Sequence, residues 1–418
     1  MSDMTLSEVQ RLILAALGSD RAFPAAGDLA RLQPVDWAEL SRLAAMHRLE
    51  PMLYERLRRS DLAEHVPQAL RERLQTAHRK HALRNLNIYR ELVTVTRLLD
   101  AENIPSIALK GAFLARFAYA EPGLRPMRDL DLLLRPEQAV QAFELLKAHG
   151  YRPLFDGAPE AYFADRKHLP PLAGPGGISI ELHHRLTYPR SHLAFQDDFV
   201  EALWARSLLL KVGSTSIRFL CPEDMLLHLC VHATMEHLLN LGPLMLVDVA
   251  LLVQRQTIDW PRFFDSVASG GWRRCALPLL YLARRHLGAG IPDKVIQALG
   301  GGVGDAAWLD AAEYLLFSDP EDHKLLDFDV QDVLYTGSLS KRFAALAGTL
   351  FPPRTTIARH FPIRAESPVA YLYYPRRWYR MATGKLPSLL KAHSGRKRSL
   401  QALAAQRDAL SGWLKAER

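Results

Sequence analysis

The sequence is poor in the features that would tie it to a membrane, an oxidising compartment or thiol chemistry. Only three of its 418 residues are cysteine (Cys221, Cys230 and Cys275). An odd number without CxxC spacing argues against a disulfide framework and against a thiolate zinc site. No apolar run approaches the roughly 20 residues that cross a bilayer. The most apolar stretch, Leu241 to Val253, is short and is interrupted by Asp248. "LILAALG", between Arg11 and Asp20, is followed by no cleavage-site pattern, so no signal peptide is expected. There is no GxSxG elbow. "GGGVG" (300–304) lacks the GK[ST] of a phosphate loop and "ATGKLPS" lacks its upstream glycine, so both read as loops. Internal repeats and long low-complexity segments are also missing. What remains is ordinary globular composition, 49% hydrophobic and 23% charged, and the expectation is a soluble cytoplasmic protein.

The net charge of +8 is unevenly placed. Residues 371–418 hold eleven Lys and Arg against Asp408 and Glu417, so this tail carries about as much positive charge as the whole chain. Its basic groups alternate with aromatics in "YLYYPRRWYR" and continue in "SGRKRS". Such a segment suits nucleic acid, an anionic membrane surface or an acidic partner. It equally suits a solvated terminal helix, and both readings stay open.

Periodicity divides the chain. Residues 1–100 form an N-terminal helical region, with apolar residues three and four apart in "WAELSRLAAMHRLEPMLYERL" and "NLNIYRELVTVTRLLDAENI". Residues 101–190 read as strand, helix, strand, helix, strand: "IPSIALK", "GAFLARFAY", "RDLDLLL", "PEQAVQAFELLKAHG" and "ISIELHHRL". Residues 191–370 form a helical C-terminal domain, clear in "PEDMLLHLCVHATMEHLL" and "PLMLVDVALLVQ" and broken by Gly and Pro beyond about residue 300. Residues 371–418 are the basic tail. The fold class expected is α+β, a mixed sheet core with helical regions on both sides.

Chemistry concentrates in the second of these regions. Residues two apart in a strand share a face, so Asp129 and Asp131 project together while Leu130, Leu132 and Leu134 point the other way. Glu181 and His183 likewise share a face opposite Ile178, Ile180 and Leu182. If these strands are neighbours, Asp129, Asp131 and Glu181 converge. Ionised carboxylates in an apolar strand are unfavourable by several kcal/mol unless compensated. Three hard oxygen donors at one point suit Mg²⁺ or Mn²⁺, and a pair of such ions is able to stabilise the attacking and leaving oxygens of a nucleotidyl transfer. Lys110 and Gly111 sit where a strand turns into a helix, where backbone amides favour phosphate and glycine permits close approach. Lys110 adds a point charge toward a triphosphate. Arg125 and Arg128, just before the acids, are candidate contacts for phosphate oxygens or leaving pyrophosphate. His183 is a further candidate on the acid face, either contacting the nucleotide or orienting Glu181.

"LKG", "RDLDLLL" about eighteen residues later, and "ISIELHHRL" together resemble the minimal nucleotidyltransferase fold of the DNA polymerase β superfamily. More closely, "ENIPSIALKGAFLARFAY" through "RPMRDLDLLL" to "LKAHGY" and "IELHHRL", with the helical "EDMLLHLCVHATMEHLL…LVDVALLVQRQTIDW", resembles the bacterial family known as uncharacterised nucleotidyltransferase. Its members occur in peptide and polysaccharide gene clusters. The resemblance spans roughly residues 35 to 270. It implies metal-dependent transfer of a nucleoside monophosphate from an NTP, with ATP the expected donor, to a hydroxyl on a peptide, sugar or small molecule. It assigns Asp129 and Asp131 to the metals and Glu181 to the metal or to the acceptor proton. Lys110 and Gly111 fall to the β- and γ-phosphates. One departure stands out: the usual Gly-Ser or Gly-Gly turn is here Lys110–Gly111–Ala112, without a serine hydroxyl.

The alternatives are a catalytically silent nucleotide-binding or scaffold protein, and an RNA-binding protein acting through the tail. His228 and His232 share a helical face, but Leu229 stands where an HExxH motif has glutamate, so core or site-lining histidines are expected there. Asp248, alone in an apolar helix, is expected to partner a buried polar group or neutralise an arginine of the site.

Overall fold

Apolar residues at helical spacing build the N-terminal region. It comprises α1 (Glu8–Leu17), boxed by Ser7 and Gln10, α2 (Ala26–Ala30), α3 (Pro34–Met46), α4 (Glu50–Arg58) and the 34-residue α5 (Gln68–Ala101). α5 buries Leu70, Leu74, Ile88, Leu92, Val95 and Leu99 along one side. Each such aliphatic side chain contributes about 1.5–3 kcal/mol when fully buried. The computed structural model describes residues 6–19, 23–155, 157–188, 195–300, 306–326 and, with gaps, 340–416. Residues 301–304, expected to be a loop, lie outside the described residues, as do 382, 384 and 385 of "ATGKLPS" (382–388), whose last three residues, also expected to be loop, instead open a helix.

Beyond α5 the chain forms α+β structure around one mixed sheet. β1 (Ser106–Ala108) leads into α6 (Gly111–Phe117), and β2 (Asp129–Leu134) into α7 (Pro136–Ala148). Two short strands follow, β3 (Arg152–Pro153) and β4 (Leu172–Ala173), then β5 (Ser179–His183). After α8 (Asp197–Arg206) a hairpin, β6 (Leu208–Val212) and β7 (Thr215–Phe219), completes the sheet. The strand order is β3-β4-β5-β2-β1-β7-β6. β2 runs parallel to β5 and antiparallel to β1, and β7 pairs parallel with β1.

The sheet is thus wider than the three strands read from the sequence, and it continues past residue 190. The hairpin escapes periodicity because β6 is an edge strand that buries little, Leu208 and Leu209 being exposed and Leu209 60% so. Two-residue strands such as β3 and β4 carry no period at all.

Further helices follow the sheet. They include α9 (Pro222–Val231), extended by a π-helical turn at His232–Glu236, α10 (Leu244–Arg255), α11 (Trp260–Ser269), α12 (Arg273–Leu287), α13 (Asp293–Ala298), α14 (Ala306–Leu316) and α15 (Pro320–Leu326). The basic C-terminal stretch forms a long helix, Leu386–Lys415, lying against α14 and α15. Leu400, Leu403, Leu410 and Leu414 are buried there, and Trp413 stacks on Trp308 at 5.2 Å. No described helix is long and apolar enough to cross a membrane.

Candidate active site

The parallel register of β2 and β5 sets Asp131 opposite Glu181 and Leu133 opposite His183. Opposed residues in a parallel pair share a face, so Asp129, Asp131, Glu181 and His183 stand on one side of the sheet. Leu130, Leu132, Ile180 and Leu182 go into the core on the other. The convergence expected from the sequence is therefore present.

Asp131 is the hub. Its Oδ2 accepts from Lys110 Nζ at 3.1 Å, and its Oδ1 lies 3.1 Å from His183 Nε2. The same Nε2 is 3.4 Å from Glu181 Oε2, which also faces His168 Nε2 at 3.7 Å. Burial opposes ionisation of Asp131, but Lys110 and His183 outweigh it and hold the carboxyl well below its ordinary range. Burial works against Glu181 in the same way, and His183 and His168 keep it low. Lys110 stays above the ordinary lysine value: burial disfavours its charge, while Asp131, Glu236, Asp129 and Glu181 more than restore it. Asp129 behaves differently. Burial, then repulsion from Asp131 and Glu181, raises its pKa.

Lys110 occupies an unusual backbone position, φ +44° and ψ −109°, immediately before α6. A non-glycine residue in such a region is strained by about 1–3 kcal/mol, a kind of strain that clusters at functional sites. Gly111 follows because nothing larger fits. A Cβ there would stand 2.6 Å from Arg125 Nη1 and 3.2 Å from the Met127 side chain.

Arg125 itself is clamped. Its Nε and Nη2 donate to the two oxygens of Asp248 at 2.7 and 2.8 Å, and Tyr119 donates to Asp248 at 2.7 Å. Asp248 meets both expectations, neutralising Arg125 and partnering the buried hydroxyl of Tyr119. The loop carrying Arg125 and Arg128 is pinned by α5. Asn85 Nδ2 donates to the Arg125 carbonyl at 2.8 Å, while Arg84 donates to the carbonyls of Met127 and Arg128 at 3.0 and 2.7 Å. The Arg128 side chain is exposed at the rim.

These groups surround a cavity of about 300 Å³, also lined by Arg48, Lys167, Tyr188, His232 and His237. On the helical wall, Glu236 receives Lys167 Nζ and, at 2.7 Å, His232 Nδ1. Burial, followed by the charge on Lys110, keeps His232 well below its ordinary pKa. His228 is buried behind it, so this helix supplies one core and one site-lining histidine. Sequence reasoning missed Arg48, Lys167, His168, Tyr188 and Glu236. The spacing of Glu236 after His232 marks a shared helix face; Arg48 and Lys167 carry no local signal.

Asp131, Glu181 and His183 present ligand atoms within 4.8 Å of one another, two carboxylates and an imidazole nitrogen, a set able to hold a divalent cation. Beside them Asp129 is a carboxyl whose ionisation is opposed by its neighbours, the condition a cation relieves.

A family model described as "Uncharacterised nucleotidyltransferase" matches residues 33–288. That span takes in α3 to α12, the whole sheet and every side chain of the cavity. No curated protein and no solved structure matches the chain.

Proposed function

Because this chain belongs to the uncharacterised nucleotidyltransferase family, we propose that it moves a nucleoside monophosphate from an NTP, ATP the expected donor, to an acceptor hydroxyl. The observation that carries this reading is the shared face of Asp129, Asp131 and Glu181 beside the Lys110–Gly111 turn. Asp129, Asp131 and Glu181 would hold Mg²⁺ or Mn²⁺. When bound, the metal supplies positive charge to the transferring phosphoryl group and to the leaving pyrophosphate.

The chain's own residues do the rest. Asp131 orients Lys110, whose ammonium remains charged and stands ready to exchange a carboxylate for a phosphate oxygen. His183 fixes the Asp131 and Glu181 carboxylates by standing between them. Gly111 makes room at the turn for Arg125 and Met127, which brings the Arg125 guanidinium beside Lys110. Glu181 either completes the metal site or accepts the acceptor's proton. In the transfer the acceptor oxygen bonds to the α-phosphorus, and the α–β bridging oxygen departs with pyrophosphate. The acceptor, a peptide, a sugar or another small molecule, enters from the side of Tyr188, His232 and His237.

The test is incubation of the protein with α-labelled NTPs, Mg²⁺ and panels of hydroxyl-bearing acceptors, followed by mass spectrometry for an added nucleotide mass. Transfer by wild type that vanishes in Asp131→Asn supports the reading. Absence of transfer across NTPs and acceptors, with NTP bound, overturns it in favour of a nucleotide-binding scaffold.

A further inference from the structure

Arg48 lies in the turn between α3 and α4, in a left-handed backbone conformation of φ +57°. Its half-buried side chain lines the cavity beside Arg125 and Arg128. Of these three guanidiniums, Arg125 is neutralised by Asp248. Arg48 and Arg128 have no ion-pair partner among the described residues. Burial first, then repulsion from Arg128 and Arg125, lowers the Arg48 pKa to about 10, although Asp129 and Asp248 pull the other way. A half-buried guanidinium crowded by two others and without an ion-pair partner is unfavourable in isolation, and a bound anion is what reverses that. Planar guanidiniums recognise phosphate oxygens two at a time.

The place narrows the anion. Arg125 Nη1 stands against the Gly111 turn, and Asp129 acts electrostatically on both Arg48 and Lys110. The basic rim therefore borders the acid face at its Asp129 end. Tyr188 and His232 also line the cavity. We propose that Arg48 and Arg128, together with Nη1 of Arg125, form the receptor for the pyrophosphate portion of the nucleotide. This assignment rests on the nucleotidyl-transfer reading above. It makes Arg48, contributed from outside the sheet domain, a binding residue for the part of the substrate that leaves.

Calorimetric titration in Mg²⁺ with inorganic pyrophosphate, with α,β-methylene-ATP and with AMP tests the assignment. Arg48→Gln is expected to weaken pyrophosphate and the methylene analogue about tenfold or more, the loss of a charge-assisted contact. AMP binding should change less than about twofold on the same grounds, and Arg48→Lys should fall between wild type and Arg48→Gln. Arg128→Gln, at an exposed position, carries the same test should Arg48→Gln fold poorly. Equal binding of pyrophosphate and analogue by variant and wild type overturns the proposal. So does failure of wild type to bind either ligand, or an effect on pyrophosphate without one on the analogue. A wild type that binds pyrophosphate through Arg48 but transfers no labelled nucleotide overturns the nucleotidyl-transfer reading alone and leaves the anion receptor standing.

Discussion

The two charged walls of the cavity are built on opposite terms. On the strand wall every acid but Asp129 is compensated within the protein: Asp131 has Lys110 and His183, and Glu181 has His183. On the arginine rim Arg125 is satisfied by Asp248, and Arg48 and Arg128 line the cavity with no ion-pair partner among the described residues. The difference teaches which groups hold the fold and which await a ligand. A charge with an internal partner is part of the structure, and removing the partner harms both. A charge without one is poorly explained by stability and better explained by what it binds.

The comparison is open to attack at its strongest point first. Asp131→Asn removes the hub of the strand wall. The expected result is a loss of transfer on the order of a thousandfold in the labelled-NTP assay, and retention of even a tenth of the activity would break the account. Next in size is the clamp on the rim. Asp248→Ala strands a buried Arg125 cation and should destabilise the protein by about 3–5 kcal/mol in denaturant unfolding. The double change Asp248→Leu with Arg125→Leu should recover much of that, the signature of a coupled pair.

The histidines divide along the same line. His183, between two carboxylates, is held above its ordinary pKa although burial alone would lower it. Burial lowers His47 to about 4 and His184 and His228 to about 3. These three are neutral in the folded protein, so below the ordinary value of 6.5 the unfolded chain binds more protons. Stability is then fully present above that pH and is lost as pH falls toward 4, by up to about 1.4 kcal/mol per pH unit for each group, less for His184. Melting temperatures between pH 7 and pH 4 should show this slope, and His47→Asn should flatten it. The smallest loss is expected at Arg48: Arg48→Gln removes an uncompensated charge and should leave unfolding stability unchanged or raised. A loss like that of Asp248→Ala would show that Arg48 belongs to the structure after all.

Much of this was legible in the sequence, for identifiable reasons. β2 and β5 alternate acid and aliphatic residues, so their two faces separate on reading, and Lys110–Gly111 lies between a strand and a helix that both have clear patterns. The β6–β7 hairpin was not legible because its outer strand buries little. Arg48 and Lys167 reach the cavity from turns far along the chain from Asp131, and only tertiary packing brings them there. The Arg125–Asp248 clamp was half legible. An acid alone in an apolar helix demands a partner, but the identity of that partner depends on how α10 meets the loop pinned by α5.

The alignment of Asp131 with Glu181 has a consequence for how dependably the centre forms. Sliding β5 along β2 by one position would turn Ile180 and Leu182 out of the interior and Glu181 into it. The oily side of these two strands thus acts as proofreader for the acidic side: any chain that reaches a well-packed interior has already set its carboxylates in place.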